Sequence, residues 1–295
     1  MNIKINVDDF RVKPGQKIDL SQVPTRISPL YKNKGEYKDL LKDYRDEIKE
    51  LQNMMYAHDR YAVLLIFQGM DCAGKDGAIK HVMSGINPAG VEVHAFKKPS
   101  SRELDHDFLW RCSSRAPQRG RIGIFNRSYY EEILVVRVHP EILTKYQRVP
   151  AEYTQDLEKV WEERASDIAN YEDYLRRNGT RTVKFFIHIS KEEQTQRLLD
   201  RIDRSDKNWK MSLGDIEERK FFPQYQKAFE QAMMGTSTDD TPWYIIPGDD
   251  KKNARLIISQ VLLHHMRSIE MNYPVVTEDF KESLKQVREA LLNGE

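Results

Sequence analysis

The 295-residue sequence predicts an α/β fold in which helices flank a five-stranded parallel sheet. Five short segments with the composition of strands alternate with stretches of helical spacing, which is the pattern of repeated strand–helix–strand units. The first run is almost continuously apolar, as is typical of a strand buried on both faces of a parallel sheet. No internal repeat and no Ser/Gly-rich linker divides the chain, so we predict a single domain over residues 1–295.

Composition excludes several classes of protein. Hydrophobic residues make up 39% of the chain, enough for a core, and no apolar run approaches the roughly 20 residues of a membrane span. The first residues lack the apolar segment of a signal peptide, and two cysteines do not form a disulfide framework. We therefore expect a cytoplasmic protein with no membrane partner. The net charge of +1 predicts little non-specific affinity for nucleic acid.

The elements begin with an irregular arm over residues 1–34, where Pro and Gly recur. An amphipathic helix over 35–59 follows. The five strands are predicted at residues 61–69, 91–96, 121–128, 182–190 and 242–248. Helices are predicted at residues 76–86, 106–116, 129–138, 151–179, 191–203 and 213–234, with a final helix that starts near Lys251.

Two local patterns mark helix ends. Gly179 is expected just after the C-terminal cap of the helix over 151–179, because glycine readily adopts the left-handed conformation needed there. Ser190 and Glu193 predict a capping box, in which Ser190 caps the next helix and the Glu193 side chain bonds back to the cap residue.

The first strand runs into a loop with the spacing G-x4-G-K, and a helix follows. In such a P-loop, backbone N–H groups and the helix N-terminus surround phosphate oxygens, and the lysine reaches the terminal phosphates. We therefore predict phosphate contacts from Gly69, Ala73, Gly74 and Lys75. A tight turn followed by a surface lysine is the less favoured alternative, because a buried strand precedes the loop and a helix follows it.

Two carboxylates distinguish this loop. Asp76 stands where a Ser or Thr hydroxyl normally ligates Mg²⁺, and Asp71 lies inside the loop. Carboxylates beside bound phosphates would repel them unless a metal ion intervened, so we predict that Asp71 helps to hold Mg²⁺, with Mn²⁺ as the alternative ion. On spacing alone, a turn-forming Asp71 competes with this interpretation.

The third predicted strand ends in polar residues, and ligands of open α/β sheets gather at the carboxyl ends of strands. Asn126 stands where an acidic metal-binding residue is often found, and it offers an uncharged oxygen. Arg127 follows, and a fixed guanidinium suits the charge that spreads over a transferring phosphoryl group. Glu131 and Glu132 come within one turn and could restore the missing carboxylate. The alternative for both is an ordinary acidic first turn of a helix.

Basic clusters are hidden in the neutral average. Residues 109–121 contain four arginines and no acid, after Lys97 and Lys98; a second cluster lies within residues 197–210. Guanidinium groups suit bidentate phosphate contacts. Solvated helix faces are the alternative, and it is stronger for the second cluster, where aspartates are interleaved. The candidate phosphate-binding residues are Asp76, Lys97, Lys98, Arg115, Arg119, Arg201, Arg204 and Lys210.

Five blocks of sequence resemble polyphosphate kinase family 2 in order and spacing, over roughly residues 35–270. They are GMDCAGKDGAIKHV, KKPSSRELDHDFLWR, RIGIFNRSYYEEILVVRVHP, RLLDRIDRSDKNWKMSLGDIEERKFF and TPWYIIPGDDKKNAR. The resemblance implies a P-loop kinase fold similar to thymidylate kinases, with a helical lid over about residues 200–222. It also implies transfer of the terminal phosphate of inorganic polyphosphate to a nucleotide, with Mg²⁺ and no phosphoenzyme.

The resemblance also implies roles for single residues. Asp71, together with Glu131, would organise the metal ion, and Lys75 would bind phosphate. Arg127 would grip the transferring phosphoryl group or the acceptor phosphate, while Arg201 and its neighbours would belong to the lid. Many family members carry Asp where this chain has Asn126, and Asn126 with Glu131 resembles the subgroup that accepts both AMP and ADP.

The expected reaction is therefore in-line phosphoryl transfer from polyphosphate to AMP and to ADP, with Asp71, Lys75, Asn126, Arg127 and Glu131 as the catalytic set. Positioning and electrostatics should dominate, because a phosphate nucleophile is already anionic. Two alternatives stay open at this point. One is an ATP-dependent nucleoside monophosphate kinase, and the other is a non-catalytic nucleotide-binding protein. The helical surface permits a homo-oligomer without specifying one.

Overall fold

A computed structural model describes residues 5–211 and 213–294, and its centre is a six-stranded mixed sheet. The strands are β1 (Arg11–Val12), β2 (Ala62–Gln68), β3 (Val91–Ala95), β4 (Ile122–Asn126), β5 (Thr180–His188) and β6 (Trp243–Pro247). Their order across the sheet is β1-β6-β5-β2-β4-β3. The strand that precedes the P-loop therefore lies in the interior of the sheet, between β5 and β4.

The prediction of five strands, all parallel, was wrong in number and in direction. Strands β2 to β6 are the predicted ones and they pair in parallel, but β1 adds an antiparallel edge strand to β6. Its register pairs Arg11 with Tyr244 and Val12 with Trp243. The strand lies within the arm, and two residues are too few to show the alternation that marks a strand in sequence.

The described helices were only partly as predicted. They are α1 (Lys34–His58), α2 (Lys75–Val82), α3 (Ser101–Leu104), α4 (Trp110–Ser113), α5 (Glu131–Val138), α6 (Glu141–Lys145), α7 (Leu157–Arg177), α8 (Lys191–Asp203), α9 (Leu213–Arg219), α10 (Phe222–Thr236), α11 (Lys251–Arg267) and α12 (Glu278–Asn293). None of those within the described ranges combines the length and the apolar character needed to cross a membrane.

Three helix predictions need correction. The helix expected over 213–234 is two helices, because Pro223 is in the first turn of α10 and cannot continue the hydrogen bonding of α9. The helix expected over 106–116 is only the four residues of α4. The helix that starts at Lys251 is not the last, since α12 follows Pro274.

The glycine predicted after the C-terminus of α7 is confirmed, whereas the capping box predicted at the start of α8 is only half formed. Gly179 follows the cap of α7 with φ of +88°, in the left-handed region, as expected. Ser190 caps α8 by accepting from the N–H of Glu193. The return bond of a capping box is replaced, because the Ser190 N–H donates to Asp249 Oδ1 at 2.9 Å. The Glu193 carboxylate instead accepts from Arg197 on its own helix.

The sheet separates two hydrophobic layers. Val63, Leu65 and Phe67 of β2 pack with α1, α2 and α11, while the alternate residues Leu64 and Ile66 pack with α5, α7 and α10. All seven residues of β2 are buried. The loop after β2 is therefore held on a strand that is fixed from both faces.

Candidate active site

The P-loop over residues 69–74 joins β2 to α2 and needs glycine where it begins. Gly69 has φ of +152°, and a Cβ there would lie 2.8 Å from the carbonyl oxygen of Ile187 in β5. Gly74 has φ of +102°, so it too adopts a conformation that favours glycine. Cys72 also has a positive φ, of +63°. The loop is thus drawn tightly against the end of β5.

Lys75, the first residue of α2, turns back across this loop. Its side chain is buried, and Nζ donates to the carbonyl oxygens of Gly69 at 2.6 Å and Met70 at 3.2 Å. Burial lowers its pKa, and the positive charge of Arg127 adds to that effect. The ammonium group therefore lies within the loop, where phosphate oxygens could replace carbonyls as its acceptors.

Arg127 connects the loop to the end of β4. Its backbone has φ of +64°, and its N–H donates to the carbonyl of Phe67 in β2 at 3.0 Å. Its guanidinium contacts Asp71 Oδ1 at 2.7 Å and Glu131 Oε2 at 3.5 Å. The structure thus brings together three residues from the P-loop, the end of β4 and the start of α5.

The side chain of Glu131 is less exposed than that of Asp71, at 23% against 32%. Burial raises its pKa, and the positive charges of Arg127 and Lys75 oppose that rise. With the amide nitrogen of Gln68 turned toward it, Glu131 Oε1 accepts at 2.9 Å, while the amide oxygen accepts from Ser128 Oγ at 3.2 Å. Gln68 and Ser128 therefore orient this carboxylate.

Asn126 and Asp76 form a second link between β4 and α2. Asn126 Nδ2 donates to Asp76 Oδ1 at 2.5 Å. An amide can donate to a carboxylate, whereas an aspartate in place of Asn126 would set two negative groups against each other. The two residues that depart from the common P-loop pattern thus face each other.

The carboxylates can be tested as ligands for a divalent ion. Within residues 5–211 and 213–294, no group of three or more His, Cys, Asp or Glu side chains is arranged to hold a metal. Protein-bound Mg²⁺ commonly uses only one or two carboxylates and takes its other ligands from substrate phosphates and water. Asp71 and Glu131, which share Arg127 as a partner, fit an ion that arrives with phosphate.

A cavity of about 480 Å³ opens beside this cluster. Its polar wall includes Asp71, Arg127 and Glu131, and its rim includes Lys97 and Lys98. Apolar and aromatic side chains complete the lining, among them Phe96, Val135, Tyr146, Tyr225 and Phe229. Glu218 and Arg219 of α9, within the predicted lid, close one side. A space with an anion-binding wall and an aromatic interior suits a nucleotide better than a simple anion.

The first basic cluster is divided by the structure. Lys97 and Lys98 are exposed at the cavity rim, and Arg111 lines the cavity while donating to the Lys97 carbonyl at 2.6 Å. Arg115 is exposed after α4 and is not part of the lining. Arg119 donates to the carbonyl of Asn178, just before β5. Arg119 therefore lies at the amino ends of the strands, on the opposite edge of the sheet from the P-loop.

The second basic cluster is divided as well. Arg201 is partly buried on α8, and Arg204 forms a two-bond ion pair with Asp206 at 3.0 and 2.8 Å on the surface. The side chain of Lys210 lies outside the described part of the structure. Arg197 is buried, and its guanidinium points at carbonyl groups of the P-loop rather than at solvent.

Several residues at the site were not singled out by sequence reasoning. They are Gln68, Tyr146, Gln194, Glu218 and Arg219. A polar Gln68 at the end of an otherwise apolar strand was a usable signal. Glu218 and Arg219 reach the cavity only through the tertiary position of α9, which has no signature in the local sequence.

Comparison with known proteins gives matches over almost the whole chain. The family model described as polyphosphate kinase 2 matches residues 31–274. An ADP-polyphosphate phosphotransferase of Rhodopseudomonas palustris is 51% identical over 290 residues, covering 98% of this chain and all of the relative. An AMP/ADP-polyphosphate phosphotransferase of Meiothermus ruber is 38% identical, covering 90% of this chain and 94% of the relative.

The fold is matched by a solved structure as well. The crystal structure of polyphosphate kinase 2 from Arthrobacter aurescens TC1 is similar with a TM-score of 0.86 at 34% identity, and the likeness covers 98% of each chain.

Proposed function

Because the chain belongs to the polyphosphate kinase 2 family, we propose that it transfers the terminal phosphate of inorganic polyphosphate to AMP and to ADP, giving ADP and ATP. The relatives support both acceptors, since one is named for ADP and another for AMP and ADP. The presence of Asn126 together with Glu131, by which the sequence resembles the dual-acceptor subgroup, also supports both acceptors.

The observation that carries the proposal is the position of Arg127. Its guanidinium lies between Asp71 of the P-loop and Glu131 of α5, at the boundary between the loop and the 480 Å³ cavity. A group transferred between a donor on the loop and an acceptor in the cavity would pass this guanidinium. Preorganised positive charge at such a point stabilises the transition state more than the bound substrates.

The two substrates would approach from different sides. Polyphosphate would lie on the P-loop, where the N-terminus of α2 and Lys75 bind its terminal phosphates. The acceptor nucleotide would occupy the cavity, with its phosphate toward Arg127 and its base among Phe96, Tyr146 and Tyr225. Lys97, Lys98 and Arg111 would bind phosphates at the rim.

Asp71 and Glu131 would hold a Mg²⁺ or Mn²⁺ ion, which would neutralise phosphate oxygens when bound. Arg127 would then exchange its carboxylate partners for phosphate. Residues 200–222 would act as a lid, because Arg201, Arg204 and Arg219 lie on it or at its base, and closure would exclude water as a competing acceptor.

The experiment is an assay of the purified protein with polyphosphate, Mg²⁺ and AMP, in which ADP and ATP are followed over time. We expect ADP first and ATP later. ADP alone would contradict the dual-acceptor assignment, and the absence of both products would contradict the proposed function. ATP with AMP, without polyphosphate, should react slowly; fast turnover there would favour an ATP-dependent nucleoside monophosphate kinase.

A further inference from the structure

Arg197 lies on α8, behind the P-loop, and every N–H of its guanidinium faces a protein acceptor. Nε donates to Glu193 Oε1 at 2.8 Å. Nη1 donates to the carbonyls of Cys72 at 3.1 Å and Ala73 at 2.7 Å. Nη2 donates to the carbonyl of Gly248 at 2.6 Å and approaches that of Asp249 at 3.5 Å. Its side chain is only 5% exposed, so its donors are committed within the protein.

These bonds constrain which way the loop peptides face. In a trans peptide the carbonyl and the following N–H point in opposite directions. Holding the carbonyls of Cys72 and Ala73 behind the loop therefore turns the N–H groups of Ala73 and Gly74 to the other side. The Ala73 N–H bonds to the Met70 carbonyl at 3.1 Å and closes the loop turn. The Gly74 N–H therefore points away from Arg197, toward the face of the loop where phosphate is proposed to bind.

One acceptor of Arg197, the carbonyl of Asp249, belongs to a residue that the N-terminal arm holds in place. Asp249 exchanges two bonds with Thr25: its N–H donates to the Thr25 carbonyl at 3.0 Å, and Thr25 Oγ1 donates to its carboxylate at 2.8 Å. Its other carboxylate oxygen accepts from the Ser190 N–H. The arm, the β6–α11 turn and the start of α8 thus form a rigid backing for one guanidinium.

We propose that Arg197 is a positioning residue that sets the shape of the P-loop for a phosphate chain, without touching the chain itself. The inference rests on the proposed function, since it names the donor substrate as the ligand whose binding Arg197 controls. It also separates Arg197 from Arg201, one turn further along α8, which would face the substrate. Arginine is required because one planar group must reach two loop carbonyls and the β6–α11 turn together.

The test compares Arg197→Lys with a matched control, Arg267→Lys. Arg267 also makes a two-bond contact, to Glu47 at 2.6 Å for both bonds, but at the far end of α11. A lysine at 197 cannot span both loop carbonyls and the turn, so we expect KM for polyphosphate to rise at least about tenfold. KM for AMP and ADP should change less than about threefold, because the cavity lies on the other flank of the loop. The control should change neither constant.

A chemical rescue sharpens the test. Millimolar guanidinium should lower KM for polyphosphate in Arg197→Ala, and methylammonium at the same concentration should not, since it has too few donors. A fall in kcat in proportion to the folded fraction, with both KM values unchanged, would overturn the proposal in favour of a merely structural role. A rise confined to KM for the acceptor would overturn it as well.

The proposal and the proposed function fail in different ways. If the unsubstituted protein forms no product from polyphosphate, the proposed function fails. Calorimetric titration with inorganic tripolyphosphate still tests Arg197, because it measures binding alone. Weaker binding by Arg197→Lys than by Arg267→Lys supports the positioning role, and equal binding overturns it.

Discussion

Two networks of charged side chains in this protein use the same chemistry in opposite surroundings. In one, Lys184 of β5 contacts Glu172 of α7 at 2.5 Å, and both side chains are fully buried. In the other, Arg127 contacts Asp71 at 2.7 Å, with side chains 39% and 32% exposed. The partner distances are similar, so distance does not distinguish a pair within the core from the pair proposed to act at the site.

The buried network is closed. Tyr129 and Tyr130 each donate to Glu172 Oε1 at 2.9 Å, and Lys184 also donates to the carbonyl of Thr236 at 2.8 Å. Burial raises the pKa of both tyrosines well above the ordinary value, so they stay protonated donors. These residues come from α7, β5, α10 and the turn before α5, and the network cross-links them.

The site network is open on the cavity side. Arg127 can exchange Asp71 for a phosphate oxygen, and Asp71 can exchange Arg127 for a metal ion. Neither exchange leaves a buried charge without a partner. Their solvent exposure makes their mutual attraction modest. Removing one partner from the buried network should therefore lower the free energy of unfolding. Removing one partner from the open network should instead lower the enzymatic activity.

The largest expected effect is in the buried network. Lys184→Met leaves the Glu172 carboxylate buried without its cation, and the free energy of unfolding should fall by about 3–5 kcal/mol. Denaturant unfolding measures this, and turnover per folded molecule should stay near that of the unsubstituted protein. The double variant with Glu172→Gln should recover part of the loss. A single variant of unchanged stability would contradict the comparison.

The next largest effect is in the open network. Lys75→Ala and Arg127→Ala should each lower kcat/KM by about 100- to 1000-fold, because each removes a cation that we propose acts on the transferring group. Thermal unfolding should change little for Arg127→Ala, whose side chain is partly exposed. Steady-state assays with polyphosphate and ADP provide the measurement. Near-normal activity of either purified variant would remove that residue from the mechanism.

A buried histidine extends the comparison to pH. Burial lowers the pKa of His265 to about 3, and its Nε2 lies within hydrogen-bond distance of Tyr244 OH, at 2.9 Å. The unfolded chain takes up this proton near pH 6.5, whereas the folded protein does so only near pH 3, so stability falls as the pH drops through that window. Between pH 7 and pH 5 this group should cost about 2 kcal/mol.

Matched variants isolate the contribution of His265. His265→Gln should show a smaller loss of stability between pH 7 and pH 5 than the unsubstituted protein, in urea unfolding at each pH. His264→Gln, at the exposed neighbouring position, should keep the full loss. An identical pH dependence in all three proteins would show that His265 is protonated in the folded state as readily as in the unfolded one.

The parts of the site predicted from sequence are those set by local spacing. The P-loop follows from G-x4-G-K after an apolar strand, and Arg127 follows from its place at a strand end. The carboxyl ends of parallel strands share one edge, so the meeting of Arg127 with Asp71 and Glu131 could be anticipated. The five parallel strands were recognisable as short segments rich in Val, Ile and Phe that alternate with stretches of helical spacing.

The parts that were missed depend on long-range packing. Strand β1 exists because β6 offers an edge, and its two residues have no strand pattern of their own. Arg197 was grouped with the candidate phosphate-binding cluster of residues 197–210, because only the packing of α8 against the β6–α11 turn shows that its donors are already used. The apolar residues of α12 recur at helical spacing, so that helix was within reach of the sequence.

The smallest expected effect concerns Arg119, which sequence spacing placed with the phosphate-binding arginines. Its guanidinium contacts the Asn178 carbonyl at 3.4 Å, beside the amino end of β5, while the P-loop follows the carboxyl end of β2. Arg119→Gln should therefore leave KM for polyphosphate within about twofold, since a charge across the sheet is largely screened at physiological salt. Lys97→Gln, at the rim of the cavity proposed for the nucleotide, should raise the KM for AMP or ADP by more than twofold. An Arg119 variant with a polyphosphate KM raised tenfold would mean that the phosphate chain passes around the molecule to the opposite edge of the sheet.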